Sequence, residues 1–148
     1  MSKPIDLSIV FDAPLDRVWA ELADLGSHPE WMSDAGSVEF LSDLRQGIGT
    51  LMSASTEVGP IRLQDTMKVV EWEEGRRIAV EHVGSVTGSG TFEIRPAGQG
   101  TELRWVETLY FPWWLGGPIT AGVARPILRR IWRGSLEKLK ARVELSAP

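Results

Sequence analysis

The chain has 148 residues, of which 43% are hydrophobic and 24% charged, which excludes wholesale disorder and fits a single globular domain spanning residues 1–148. With 16 Lys and Arg against 20 Asp and Glu, the formal charge is −4, which argues against a nucleic-acid-binding module. Cysteine is absent, so disulfides, thiol catalysis and thiolate metal sites are excluded.

The first part of the chain predicts one strand followed by two short helices. Residues Met1–Asp6 lack the apolar segment of a secretory signal, and we therefore expect a cytoplasmic protein. Apolar and polar residues alternate over Ile5–Phe11, as in a half-buried strand. Pro14 suits the start of a helix, and Pro29 suits the start of a second, shorter one. The apolar face of the first helix is formed by Val18, Trp19, Leu22 and Leu25.

After Gly36 the apolar period changes to two, and short breaks rich in Gly and Pro require antiparallel neighbours. The six strands predicted here are Val38–Leu41, Thr50–Val58, Ile61–Glu73, Arg77–Gly84, Val86–Arg95 and Thr101–Phe111. Helical spacing returns over Pro126–Leu145, with a helix that either starts or kinks at Pro126. We expect an α+β fold in which a seven-stranded antiparallel sheet bends around this long C-terminal helix. Such a bend leaves a cavity between the sheet and the helix.

Strand pairing predicts which side chains face this cavity. Pairing the fourth strand with the fifth places His82 opposite Met67, and pairing the sixth with the seventh places Glu107 opposite Gly90. Asp65, His82 and Glu107 then share an apolar inner face, where they are candidates for acid/base chemistry on a bound carbonyl or phenol. A neutral Glu107 would donate the proton. The alternative is that the three residues lie at open strand ends in solvent, since a slip of one residue reverses every assignment.

The predicted cavity lining combines aromatic, Met and aliphatic residues, which suit an apolar ligand. These residues are Trp31, Met52, Met67, Val80, Phe92, Trp105, Leu128 and Ile131.

No motif in the sequence specifies a cofactor. Gly84, Gly88 and Gly90 have no following helix or lysine, which excludes a phosphate-binding or dinucleotide-binding loop. Glycines within strands favour instead a sharp bend or a bulge of the sheet. The two histidines, His28 and His82, do not have the spacing of zinc ligands. We therefore expect neither a cofactor nor a metal ion.

An uncharged segment joins the last strand to the last helix and contains two adjacent tryptophans. We predict a lid over the cavity, formed by Phe111, Trp113, Trp114, Gly116 and Gly117 and hinged at the glycine pair. A transient membrane-surface contact through the two tryptophans and a dimer contact are the alternatives. Because two prolines and a glycine pair interrupt the segment, it is a poor membrane span.

Over essentially its whole length the sequence resembles the polyketide cyclase/dehydrase group of the START-like superfamily, also called SRPBCC. The segments that carry the resemblance are Asp12–Pro14, Val18–Trp19, His28–Trp31, Gly88–Ile94, Gly100–Leu103 and Ser135–Lys140. It implies a helix-grip fold and a cavity for a hydrophobic small molecule, either cyclic and polyketide-like or lipid-like. Two functions stay open: a ligand-binding or carrier module, and a cyclase/aromatase-type enzyme acting on a poly-carbonyl substrate. A protein-interaction module that uses the tryptophans is a third.

Overall fold

The computed structural model describes residues 4–58 and 60–146, and its elements follow the predicted order. The strands are β1 (Ile5–Phe11), β2 (Ala35–Phe40), β3 (Leu51–Val58), β4 (Ile61–Glu73), β5 (Arg77–Val83), β6 (Thr87–Ala97) and β7 (Gly100–Tyr110). The helices are α1 (Leu15–Ala23) and α2 (Gly117–Ser146), with 3₁₀ segments at Leu25–Glu30 and Trp113–Leu115.

The strands form one antiparallel sheet in the order β1-β7-β6-β5-β4-β3-β2, so that each strand from β2 to β7 pairs with its neighbour in sequence. The predicted register is confirmed: His82 lies opposite Met67, and Glu107 lies opposite Gly90. A bulge in β4 follows Val69, beyond the part of the strand that faces the cavity. The inner face therefore carries the residues that the period of two assigned to it.

The glycines of β6 make room for neighbouring atoms rather than forming a bulge, because β6 pairs with β5 and β7 without a register shift. Gly88 has a φ of +134°, and a Cβ there would lie 2.9 Å from the carbonyl carbon of Thr108. A Cβ on Gly90 would lie 2.7 Å from the carboxylate carbon of Glu107. Gly90 thus leaves space for a polar side chain of the neighbouring strand.

The last helix begins at Gly117, so of the two alternatives for Pro126 a helix start is wrong, and Pro126 lies inside α2. Proline lacks the N–H that would bond to the carbonyl of Gly122. Both residues are exposed, so water can satisfy that carbonyl. The buried face of α2 packs against the sheet, and its buried hydrophobic residues are Leu128, Trp132, Leu136, Leu139 and Val143.

Candidate functional site

A cavity of about 350 Å³ lies between the inner face of the sheet and α2. This volume falls within the roughly 300–1,000 Å³ typical of small-molecule pockets. Strands β2 to β7, the first 3₁₀ segment and α2 all contribute to its mostly apolar wall. The predicted residues that the structure places on this wall are Met52, Asp65, Met67, Val80, His82, Phe92, Trp105, Glu107, Phe111 and Leu128.

Trp31 and Ile131, which were predicted to line the cavity, do not lie on its wall. Trp31 is fully buried and meets the ring of Phe92 at a centroid distance of 6.1 Å, so it supports the wall from behind. Ile131 is half-buried at the margin of the core. On α2 the cavity side is taken by Leu128 and Trp132, which are four residues apart and therefore lie on one face.

Trp113, Trp114, Gly116 and Gly117 also lie outside the wall, and at this end the wall is formed by Phe111 and the first turns of α2. Trp113 is 87% exposed and Trp114 is 58% exposed. The two glycines have φ values of +94° and +49°, a left-handed conformation that joins the 3₁₀ segment to α2. In the described part of the chain, no helix is both long and apolar enough to cross a membrane.

His82 and Glu107 form a hydrogen-bonded pair on the cavity wall. Nε2 of His82 lies 3.1 Å from Oε2 of Glu107, and the two side chains are only 14% and 11% exposed. The indole N–H of Trp105 donates to the other Glu107 oxygen at 3.4 Å. The alternative of solvent-facing strand ends is therefore wrong for this pair.

Asp65 lies on the same wall and is half-buried. Its Oδ1 accepts a hydrogen bond from the backbone N–H of Ser85 at 2.8 Å. A Cβ on Gly84 would lie 2.8 Å from the carboxylate carbon of Asp65, so this glycine also makes room for a carboxylate. Asp65 thus stands close to the hairpin that joins β5 to β6.

The surroundings of His82 favour its charged form. Burial lowers the pKa of the imidazole, but the hydrogen bond with Glu107 and the negative charges of Glu107 and Asp65 outweigh it, and the net pKa is raised. Both oxygens of Glu107 accept hydrogen bonds, an arrangement that suits a carboxylate. The geometry therefore favours His82 as the proton donor, in place of the neutral Glu107 considered from the sequence.

A second polar pair on the wall, Asp34 with Trp132, is one that sequence reasoning missed. The indole N–H of Trp132 donates to Oδ2 of Asp34 at 2.8 Å. Burial raises the pKa of Asp34 by more than this hydrogen bond lowers it. The Trp132 ring stacks on Trp105 with centroids 4.9 Å apart, so one aromatic surface connects Asp34 with Glu107. The spacing of Trp132 from Leu128 was the signal that could have placed it on the wall.

The other histidine has a different environment. His28 is buried, its Nε2 lies 2.8 Å from the carbonyl oxygen of Leu22, and burial lowers its pKa. It is therefore a neutral donor to the backbone, although its ring reaches the cavity wall. Within residues 4–58 and 60–146, no group of three or more His, Asp or Glu side chains is placed to hold a metal ion.

Comparison with known proteins identifies the family. Residues 4–144 match the family model described as polyketide cyclase/dehydrase and lipid transport. The chain belongs to this family. No curated protein gives a significant match to the sequence.

Solved structures with a similar fold include proteins from several bacteria. The protein TTHA0849 from Thermus thermophilus is 20% identical, with a TM-score of 0.78 over 99% of this chain and 100% of that one. The Zhui aromatase/cyclase from a Streptomyces species is 18% identical, with a TM-score of 0.77 over 97% and 94%. A START superfamily protein from Mycobacterium smegmatis is 16% identical, with a TM-score of 0.76 over 96% and 97%. At these identities the likeness is one of fold alone, and it confirms the predicted α+β helix-grip architecture.

Proposed function

We propose that the chain binds a hydrophobic small molecule, cyclic and polyketide-like or lipid-like, in the cavity between the sheet and α2, and that it does so in the cytoplasm. The observation that carries this proposal is the mostly apolar cavity of about 350 Å³ beside the hydrophobic core. The atoms that line an empty apolar cavity lack van der Waals contacts on one side, and a bound apolar ligand would supply these contacts.

The residues of the wall suit a ligand of varied shape. Met32, Met52 and Met67 supply flexible, polarisable side chains that adapt to different outlines. Phe92 and Trp105, whose ring centroids are 5.2 Å apart and whose planes are tilted by 43°, supply an aromatic surface for a cyclic ligand.

Titration with the neutral dye N-phenyl-1-naphthylamine tests the proposal. Ala124 lies on the wall and within α2, so Ala124→Phe fills the cavity without disturbing a strand. Ala141 is an exposed residue of the same helix, and Ala141→Phe is the matched control. We expect saturable dye fluorescence in the wild type and in A141F. In A124F the Kd for the dye should rise about tenfold or more, which corresponds to about 1.4 kcal/mol of binding free energy. Equal binding by A124F, with its fold intact by circular dichroism, would contradict a ligand site here.

A second function, acid/base catalysis of an enolisation or aldol-type cyclisation, is supported by the His82–Glu107 pair on the wall. We infer that His82 would exchange a proton with a ligand carbonyl, that Glu107 would orient the imidazole, and that Asp65 would add negative charge. Such help is worth roughly 10²–10⁴-fold in rate. His82→Ala and Glu107→Gln would then abolish turnover of a poly-carbonyl substrate and spare dye binding. If the wild type shows no turnover and these two variants lose dye binding, the result would favour a carrier.

We propose that the Trp segment, residues 111–117, acts as a lid at the entrance of the cavity. Phe111 lies on the wall, and the exposed Trp113 and Trp114 follow it directly. Val123 of α2 is both 63% exposed and part of the wall, so an apolar surface runs from this region into the cavity. Closing the segment over this surface would remove two indole rings from water.

A further inference from the structure

We propose that the cavity selects apolar molecules whose polar end donates hydrogen bonds, so that an amine on a given apolar chain binds more tightly than a carboxylate. This inference rests on the proposed binding function and adds the chemical class of the ligand's polar end.

The first observation is the set of charges on the wall. Asp34, Asp65 and Glu107 line the cavity, with His82 as the cationic partner of Glu107. Among the described residues that line the cavity, none is a Lys or an Arg. Asp65 and Glu107 together outnumber the single cation His82, so the formal charge facing a ligand is negative even without Asp34, whose pKa is raised by burial. Inside an apolar cavity, salt and water screen these charges much less than at the protein surface.

The second observation concerns hydrogen bonds, and it is independent of the net charge. The strong donors of the wall already have partners in the protein: the Trp105 N–H bonds to Glu107, and the Trp132 N–H bonds to Asp34. Nε2 of His82 likewise faces Glu107, so the imidazole keeps one ring N–H for a ligand, against three carboxyl groups on the same wall. The wall therefore offers few unused donors.

Acceptor capacity, in contrast, remains. An ionised carboxylate has about four acceptor sites. Among the residues that the structure describes, Asp65 accepts one bond, from the Ser85 N–H, and Glu107 accepts two, from His82 and Trp105. A ligand that enters the cavity thus meets unused oxygen lone pairs next to apolar surface.

These two observations predict an order of affinity among ligands that share one apolar chain. An ammonium group brings three donors and a positive charge, and it can bond to the free lone pairs of Asp65 and Glu107. A hydroxyl brings one donor and no charge. A carboxylate brings acceptors to a wall that is itself rich in acceptors, so its lost hydration is poorly replaced.

The experiment is displacement of N-phenyl-1-naphthylamine by dodecylamine, dodecanol and dodecanoate, each below its micelle concentration. We expect dodecylamine to displace the dye at a concentration about tenfold or more below that needed for dodecanoate, with dodecanol between them. The ratio of the affinity for dodecylamine to the affinity for dodecanoate should fall about threefold or more in Asp65→Asn, because this change removes a half-buried charge from the wall. The exposed Asp43 provides the matched control, Asp43→Asn, which should leave the ratio unchanged.

The outcomes separate the two proposals. If the dye does not bind the wild type, the proposed function fails, and this inference fails with it. If the dye binds and dodecanoate displaces it as well as dodecylamine does, the binding function stands and the inference is overturned. An unchanged ratio in D65N, with the dye still bound, overturns the assignment of the preference to the carboxylates of the wall.

Discussion

Replacing Gly90 by Ala tests the geometry on which the His82–Glu107 pair depends. A new Cβ would lie 2.7 Å from the carboxylate carbon of Glu107 and 3.3 Å from its Cγ, where ordinary contact begins at 3.4 Å. The carboxylate must therefore move by more than half an ångström, which disrupts its 3.1 Å contact with His82. Since this change overpacks a buried site and weakens a charge-assisted hydrogen bond, we expect the free energy of unfolding to fall by about 1–3 kcal/mol.

Urea unfolding of the wild type, Gly90→Ala, Glu107→Ala and the double variant measures this effect as a coupling. Gly90 does not have the positive φ of Gly88, so its backbone conformation accepts alanine. With the Glu107 side chain removed, Gly90→Ala should be neutral or stabilising by up to about 1 kcal/mol, because alanine restricts the unfolded chain. The two changes should thus couple by about 1 kcal/mol or more. Additive effects would refute the claim that the carboxylate occupies the space beside Gly90.

Three further variants test other parts of the site. Because the pKa of His82 is raised on folding, its contribution to stability is complete below the ordinary histidine pKa of 6.5 and is lost as the pH rises through the raised value. The difference in unfolding free energy between wild type and Glu107→Gln should therefore shrink as the pH rises above neutrality, and a constant difference would contradict this linkage. Trp132→Phe removes the indole donor to a buried carboxylate and should cost about 1–3 kcal/mol in urea unfolding; a loss below about 0.5 kcal/mol would speak against that hydrogen bond. Replacing Trp113 and Trp114 by Ala should speed dye release in stopped-flow fluorescence if the Trp segment is a lid, whereas a change seen only with lipid vesicles would replace the lid by a membrane contact.

The sheet was predictable because its connections are short. Tight hairpins allow few registers, and a strand period of two then fixes which side chains share a face. For this reason the sequence alone placed His82 opposite Met67 and Glu107 opposite Gly90. The same logic brought the two polar residues of the pair to one wall of the cavity.

The parts that sequence reasoning missed depend on contacts between distant segments. Asp34 lies in the irregular segment before β2, where no periodic pattern reports its direction, and its partner Trp132 is on α2. The sequence left open whether α2 starts or kinks at Pro126, because proline is normally a helix boundary, and the exposure of Gly122 is consistent with a helix that continues through it. Trp31 was expected on the wall, but the 3₁₀ segment before it turns its ring into the core.

The occupancy of the cavity is tested most directly by nuclear magnetic resonance of protein with labelled methionine and isoleucine methyl groups, titrated with N-phenyl-1-naphthylamine. Met52, Met67 and Ile78 lie on the cavity wall, whereas Ile48 is 63% exposed and lies outside it. We expect intermolecular nuclear Overhauser effects from the dye to the methyl groups of the three wall residues and none to Ile48. Effects confined to exposed methyl groups, with the wall residues unperturbed, would contradict a ligand site between the sheet and α2.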